Sequence, residues 1–191
     1  MQNPWDIRER QERGDNNSDD IFVKVGYALT LWEGLEAECA ELFDVLVAGY
    51  PTNRAAHSSY ISVMASSART QLLEAAFLKA VHESDPIYSD IRKVIDSIGK
   101  TGARRNEIAH GRVYKLGEAG YFLGPNYTMK NRWAANGEAK YQYTAEDLDH
   151  YIEWFIRLSA ACEILTETLR AREVSKTNST SSKARGRDKR T

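Results

Sequence analysis

Ile21, Val25, Ala28, Trp32, Leu35, Cys39, Leu42 and Leu46 succeed one another at steps of 4, 3, 4, 3, 4, 3 and 4. No other feature constrains the fold as strongly. Apolar side chains at this rhythm line one face of a helix, and that face has to be buried against other helices. Ser18 or Asp19 is placed to cap its start. Gly49-Tyr50-Pro51 should end it, because glycine releases a helix and proline cannot continue one.

Three more helical patterns follow. Ile61, Met64, Ala68, Leu72, Ala75 and Leu78 suggest a helix over about 58–83 with one apolar face. Ser84-Asp85-Pro86 is a start signal, and Ile87, Ile91, Val94, Ile95 and Ile98 form the next stripe. Gly99 and Gly102 predict a kink or break before helix resumes and stops at Gly111, read as a left-handed cap. The last stripe is Leu148, Ile152, Phe155, Leu158, Cys162, Leu165 and Leu169, preceded by a capping-box-like Thr144-Ala145-Glu146-Asp147.

Residues 112–144 differ. Alternation around Arg112–Leu116, Gly/Pro punctuation and tyrosine-rich runs predict short strands or a hairpin. The fold class expected is thus all-α, an antiparallel four-helix bundle with a short β-like hairpin insertion before the last helix. Residues 1–18 read as a flexible or loosely docked polar arm, 19–172 as the bundle including the 112–144 insertion, and 173–191 as a disordered basic tail.

Composition narrows the class. The chain has 191 residues, 42% apolar and 28% charged, which suits a globular domain with its own core. The net charge of −1 conceals a local +4 over 173–191, where six Lys/Arg meet two Asp/Glu, leaving −5 elsewhere. Cys39 and Cys162, the two cysteines, make neither a disulfide framework nor a metal-ligand spacing, so a reducing, cytoplasmic setting is expected. The N-terminus lacks the apolar stretch of a signal peptide, and no apolar run is long enough to cross a bilayer. P-loop, GxGxxG, HExxH and GxSxG patterns are absent, and no metal or cofactor is expected.

The chemistry concentrates in RRNEIAHG, Arg104 to Gly111. Asn106 and His110 stand four apart and share a helix face. Arg105 lies about 140° of rotation from His110 on ideal geometry, so one chain brings them together only in part. An arginine offers a planar fork of donors to phosphate oxygens, and a histidine can move protons. A helix C-terminus favours a cation, so His110 is read as an acid or phosphate-binding cation at least as much as a base. The plainer alternative is a decorated helix end.

Arg105-Asn106-Glu107-Ile108-Ala109-His110, at the end of the third helix of a four-helix pattern, resembles the signature of the HEPN superfamily, an arginine followed after four to six residues by a histidine. The resemblance covers about 19–172 and leaves out the arm, insertion and tail. It implies a homodimer with two motifs facing across a cleft. It further implies metal-independent RNA cleavage in toxin–antitoxin or antiviral defence, with Arg105, Asn106 and His110 as catalytic residues. Inactive members serve as dimerisation or interaction modules for a partner protein or nucleic acid, and that alternative stays open. Arg112 stands where some toxins of the family carry a modifiable tyrosine, which argues against that route of regulation.

Other candidates support this core. Glu36 is expected to orient Arg105, Arg112 to add a phosphate contact, and Arg104 to support the site. The insertion mixes five Lys/Arg with Tyr114, Tyr121, Phe122, Tyr127, Trp133, Tyr141 and Tyr143. Of these, Tyr114, together with Lys130 and Arg132, is a candidate for holding RNA; the alternative is a hairpin packing its own rings. His57, His82 and His150 have no ligand-like company.

Overall fold

A computed structural model describes residues 3–49, 54–128, 132–135 and 137–187, with only the backbone given for 54 and 176–187. Among them are five α-helices: α1 (Ser18–Ala48), α2 (Arg54–Ile61), α3 (Ser66–Ala80), α4 (Tyr88–His110) and α5 (Ala145–Arg187). Strands β1 (Gly111–Lys115) and β2 (Tyr121–Pro125) form a two-stranded antiparallel sheet. The mainly helical class and the hairpin before the last helix match expectation. The chain divides into two units, Met1–Glu36 with Asp96–Leu158, and Ala37–Ile95 with Ser159–Thr191.

The first unit is organised around Trp32. Its ring meets Phe155 edge-on at 5.2 Å, and both are buried with Ile21, Ala28, Leu35, Ile98, Ile108, Leu148 and Tyr151. The first-helix stripe therefore packs as its spacing requires. The cap differs: Asn17 Oδ1, not Ser18 or Asp19, accepts the Asp19 amide at 3.0 Å. α4 runs unbroken through Gly99 and Gly102. At Gly102 the indole of Trp32 packs against the helix, at 3.5 Å from where a Cβ would stand.

The hairpin pairs Gly111 with Pro125 through to Lys115 with Tyr121. On the far edge of β2, Leu123 exchanges backbone bonds with Tyr143 and Tyr121 with Asp15. The described part of the expected flexible arm is thus docked. Arg8 Nε donates to Asp147 Oδ1 at 2.9 Å, Arg10 Nε to Gln142 Oε1 at 2.9 Å, and Asp15 Oδ2 accepts the Ala145 amide at 2.8 Å. A polar segment is held here because its partners are polar too, a pattern that apolar periodicity does not register. The Thr144 box forms as expected, with Asp147 Oδ2 accepting from the Thr144 amide at 3.0 Å and the Asp147 amide donating back to Oγ1 at 3.3 Å.

In the second unit the helix expected over 58–83 is two. α2 ends at Ile61, and the Arg69 side chain reaches back to the carbonyls of Val63 (2.7 Å) and Ile61 (3.3 Å). The break resets the helical phase. The expected face of Ile61, Met64, Leu72 and Leu78 is exposed, and Tyr60, Leu73 and Phe77 are buried instead. Phe43–Tyr60 and Phe77–Tyr88 ring contacts at 4.9 and 4.7 Å join α1 to α2 and α3 to α4. Arg172 bonds Asp85 at 2.8 Å, and Arg170 pairs with Glu41. α5 passes the boundary expected near Arg172 and continues to Arg187. No proline lies in that stretch, and its first glycine is Gly186, so nothing in it forces an earlier stop.

Candidate functional site

The helical phase of α4 sorts RRNEIAHG into two faces. Continuing the Ile91, Ile95, Ile98 rhythm gives Thr101, Arg104 and Ile108, all buried, with Glu107 beside them. Arg105 is half-buried, while Asn106 and His110 are exposed. The candidate catalytic trio therefore sits on the outer side of the last two turns of α4, in the first unit.

Behind it lies a polar network. Glu107 is 2% exposed. Its Oε2 accepts from the Tyr143 hydroxyl at 2.6 Å and lies 3.1 Å from Arg104 Nη1, and its Oε1 accepts from Arg132 Nη1 at 2.8 Å. Its backbone carbonyl accepts from Tyr141 OH at 3.3 Å. Burial raises the Glu107 carboxyl above the ordinary glutamate range, against the bonds from Tyr143, Arg104 and Arg132, which lower it. Burial also pushes Tyr141 up to about 12, with Glu107 acting in the same direction. Tyr143 is raised as well, by burial first and then by Tyr151 and Glu107.

The outer face is loosely held. Arg105 Nη1 reaches Asn106 Oδ1 at 3.4 Å and Nη2 reaches Glu33 Oε1 at 3.5 Å, both at the long end of hydrogen bonding. Its Nε is buried with no hydrogen-bond partner. The carboxylate that meets Arg105 is Glu33. Glu36, expected in that place, accepts from Trp32 Nε1 at 3.1 Å and is buried. The difference is one helical turn, since residues 33 and 36 take adjacent rungs of α1 and the inner rung faces the indole.

Gly111 is not a left-handed cap. The glycines with positive φ are Gly49, Gly117, Gly120 and Gly137. Gly111 opens β1, where a Cβ would lie 2.8 Å from both the Glu107 carbonyl and Leu123 Cδ1. It is there for space, so that the strand can leave the helix against the sheet.

The other predicted residues divide. Arg104 belongs to the buried network and Arg132 is bound to Glu107, so neither presents a guanidinium wholly outward. Arg112 is exposed, with its guanidinium 6.0 Å from the Tyr127 ring centre. Tyr114 is half-buried beside Phe122. Lys130 lies outside the described residues. Among the described residues no three His, Cys, Asp or Glu side chains converge as a metal site, and no helix is long and apolar enough to cross a membrane.

No family model matches the chain, and no curated protein or solved structure is matched by it. The site stands on its own geometry.

Glu107, Tyr141 and Tyr143 form the part of this region that the sequence reading missed. A signal was present for Arg104. Its place on the apolar phase of α4 marks an arginine that has to find a buried acceptor, and Glu107 is three residues on.

Proposed function

We propose that the chain is a HEPN-type, metal-independent endoribonuclease built on a four-helix bundle, with α2 and α3 together filling the second helix position. A second copy completes the site. The 2′-hydroxyl of RNA attacks the neighbouring phosphorus and the bond from phosphorus to the 5′-oxygen breaks, leaving a 2′,3′-cyclic phosphate and a 5′-hydroxyl; the 2′-hydroxyl loses its proton, His110 gives one to the leaving 5′-oxygen, and Arg105 with Asn106 binds the phosphate oxygens. The supporting observation is the division of RRNEIAHG. Arg104 and Glu107 are consumed inward by structural pairing, whereas Asn106 and His110 are exposed and the half-buried Arg105 makes only long contacts. Dimerisation brings the arginine of one copy toward the histidine of the other, which helix geometry within one copy resists. A setting in toxin–antitoxin or antiviral defence, with a protein partner, belongs to the same reading.

The test is incubation of the pure protein with single-stranded RNA in EDTA, beside Arg105→Ala and His110→Ala. Cleavage that resists EDTA, leaves 2′,3′-cyclic phosphate ends and disappears in both variants is expected. Cleavage unchanged in either variant rejects the assignment, and a strictly monomeric mass in solution rejects the composite site.

A second reading is supported by a different feature. Phe22, Val23 and Tyr27 on α1 are 58%, 55% and 61% exposed, an apolar surface of the kind used to bind another protein. On that reading the chain is an inactive interaction module.

A further inference from the structure

The hairpin carries a cleft of about 400 Å³, bordered by Arg112, Val113, Tyr114, Lys115, Pro125, Tyr127 and Trp133. Its lining contains two cations and three aromatic rings and no acidic side chain. Arg112 and Lys115 make no ion pair among the described residues; each lies near a ring instead, Arg112 at Tyr127 (6.0 Å) and Lys115 at Tyr121 (5.6 Å). The Tyr127 ring is nevertheless 71% exposed. Trp133 is fixed by its indole N–H, which donates to the Asn126 carbonyl at 3.2 Å.

The strand edge adds further donors. Leu123 and Tyr121 exchange backbone bonds with Tyr143 and Asp15, on the side of β2 away from β1. In an antiparallel ladder their partners Val113 and Lys115 are then the non-hydrogen-bonded positions, and the amides of these two residues point away from β2. β1 thus offers outward N–H groups beside the exposed Tyr127 ring, the half-buried Trp133 and unneutralised cations. Rings that bases can stack on, with cations that follow a phosphate backbone, are how proteins hold unpaired nucleic acid.

We propose that this cleft binds single-stranded RNA, an unpaired base stacking on Tyr127 and Trp133 while Arg112 and Lys115 contact the flanking phosphates. The strand begins directly after His110, and a chain of five residues spans at most about 18 Å. The cleft therefore holds RNA within a few nucleotides of the phosphate at the α4 end, and sets which bases lie beside the cut. The choice of RNA rests on the ribonuclease reading, while the cleft's charge and shape stand apart from it.

The test uses a fluorescently labelled 2′-O-methyl oligouridylate, which cannot be cut by 2′-hydroxyl attack, and measures anisotropy with the full chain. Tyr127→Ala is expected to weaken binding by about 5- to 150-fold, the range for loss of one stacked base. Arg112→Ala and Lys115→Ala should each reduce the slope of log affinity against log salt by about 0.7. Tyr127→Phe should bind like the wild type, which separates loss of stacking from misfolding. Equal binding by wild type and Tyr127→Ala, or tighter binding of a 2′-O-methyl duplex, overturns the proposal and leaves the cleavage site untouched. Cleft-dependent binding by a protein that cuts no RNA keeps the cleft and removes the ribonuclease.

Discussion

The Tyr143 hydroxyl donates to Glu107 Oε2 at 2.6 Å in the buried interior beneath the outward face of RRNEIAHG. This bond ties the segment leading into α5 to the end of α4, so the position of the candidate site depends on a residue more than thirty positions away. Tyr143→Phe removes a hydrogen bond to a charged acceptor and should cost about 1.5–3 kcal/mol. Glu107→Ala leaves Arg104 and Arg132 without their shared carboxylate and should cost about 3–5 kcal/mol. Urea midpoints of the two variants check both, and the reverse order would sink the network as described.

The pH dependence follows from the same groups. Tyr141, Tyr143, Tyr151 and Tyr114 are all raised above 10, mainly by burial. A raised folded value means that their stabilising share is complete below pH 10, where the unfolded chain keeps its protons, and is lost as pH climbs beyond it. For Tyr141, the displacement to about 12 corresponds to roughly 2–3 kcal/mol. Unfolding free energy should fall steeply between pH 10 and 12, with phenolate absorbance from these rings emerging only on unfolding. Glu107, also raised, works at the acid end: wild type should lose stability relative to Glu107→Gln as pH rises above 4.5. A constant gap between the two proteins would contradict this.

Arg105 separates activity from stability. Its side chain is 25% exposed and its bonds to Asn106 and Glu33 are long, so Arg105→Lys should shift the melting temperature little. The change keeps the charge but loses the planar fork, and on the proposed ribonuclease reading RNA cleavage should drop by roughly 10²-fold, as for loss of one donor to a developing charge. Near-normal cleavage by the lysine variant would remove the bidentate role.

Asp147 caps α5 and anchors Arg8 with its two oxygens. Asp147→Ala should cost about 1–2 kcal/mol from the cap alone. It should also release residues 6–10, read as trypsin cleavage at Arg8 or Arg10 under conditions that leave the wild type whole. An arm equally protected in both would show that the anchor is dispensable.

Two glycines of the α4 region should respond with opposite signs. At Gly111 a Cβ meets the Glu107 carbonyl at 2.8 Å, so Gly111→Ala should destabilise by about 1–3 kcal/mol. At Gly102 it meets Trp32 at an ordinary 3.5 Å inside a helix, so Gly102→Ala should stabilise by about 0.5–1 kcal/mol. Thermal melts of the two variants decide, and shifts in the same direction would contradict the packing.

The legible part of the chain was periodic. Steps of three and four placed α1, α4 and α5 and their buried stripes, and Thr144 with Asp147 announced a cap that forms. The second helix was misread because its rhythm was counted across 62–65, where the chain breaks and the phase restarts. Where the arm docks is not legible in the sequence, because Arg8, Arg10 and Asp15 are held by hydrogen bonds and charge, which leave no period.

The outward trio shows the same boundary. By itself the sequence determined that Arg105, Asn106 and His110 stand together at a helix end, since spacing on a helix is a local property. Only the tertiary structure decided that Glu107 takes Arg132 and Tyr143 as partners beside Arg104, that Glu33 rather than Glu36 meets Arg105, and that Gly111 is a matter of space. Each of these depends on which side chains from distant segments compete for one buried volume, and no local pattern encodes that competition.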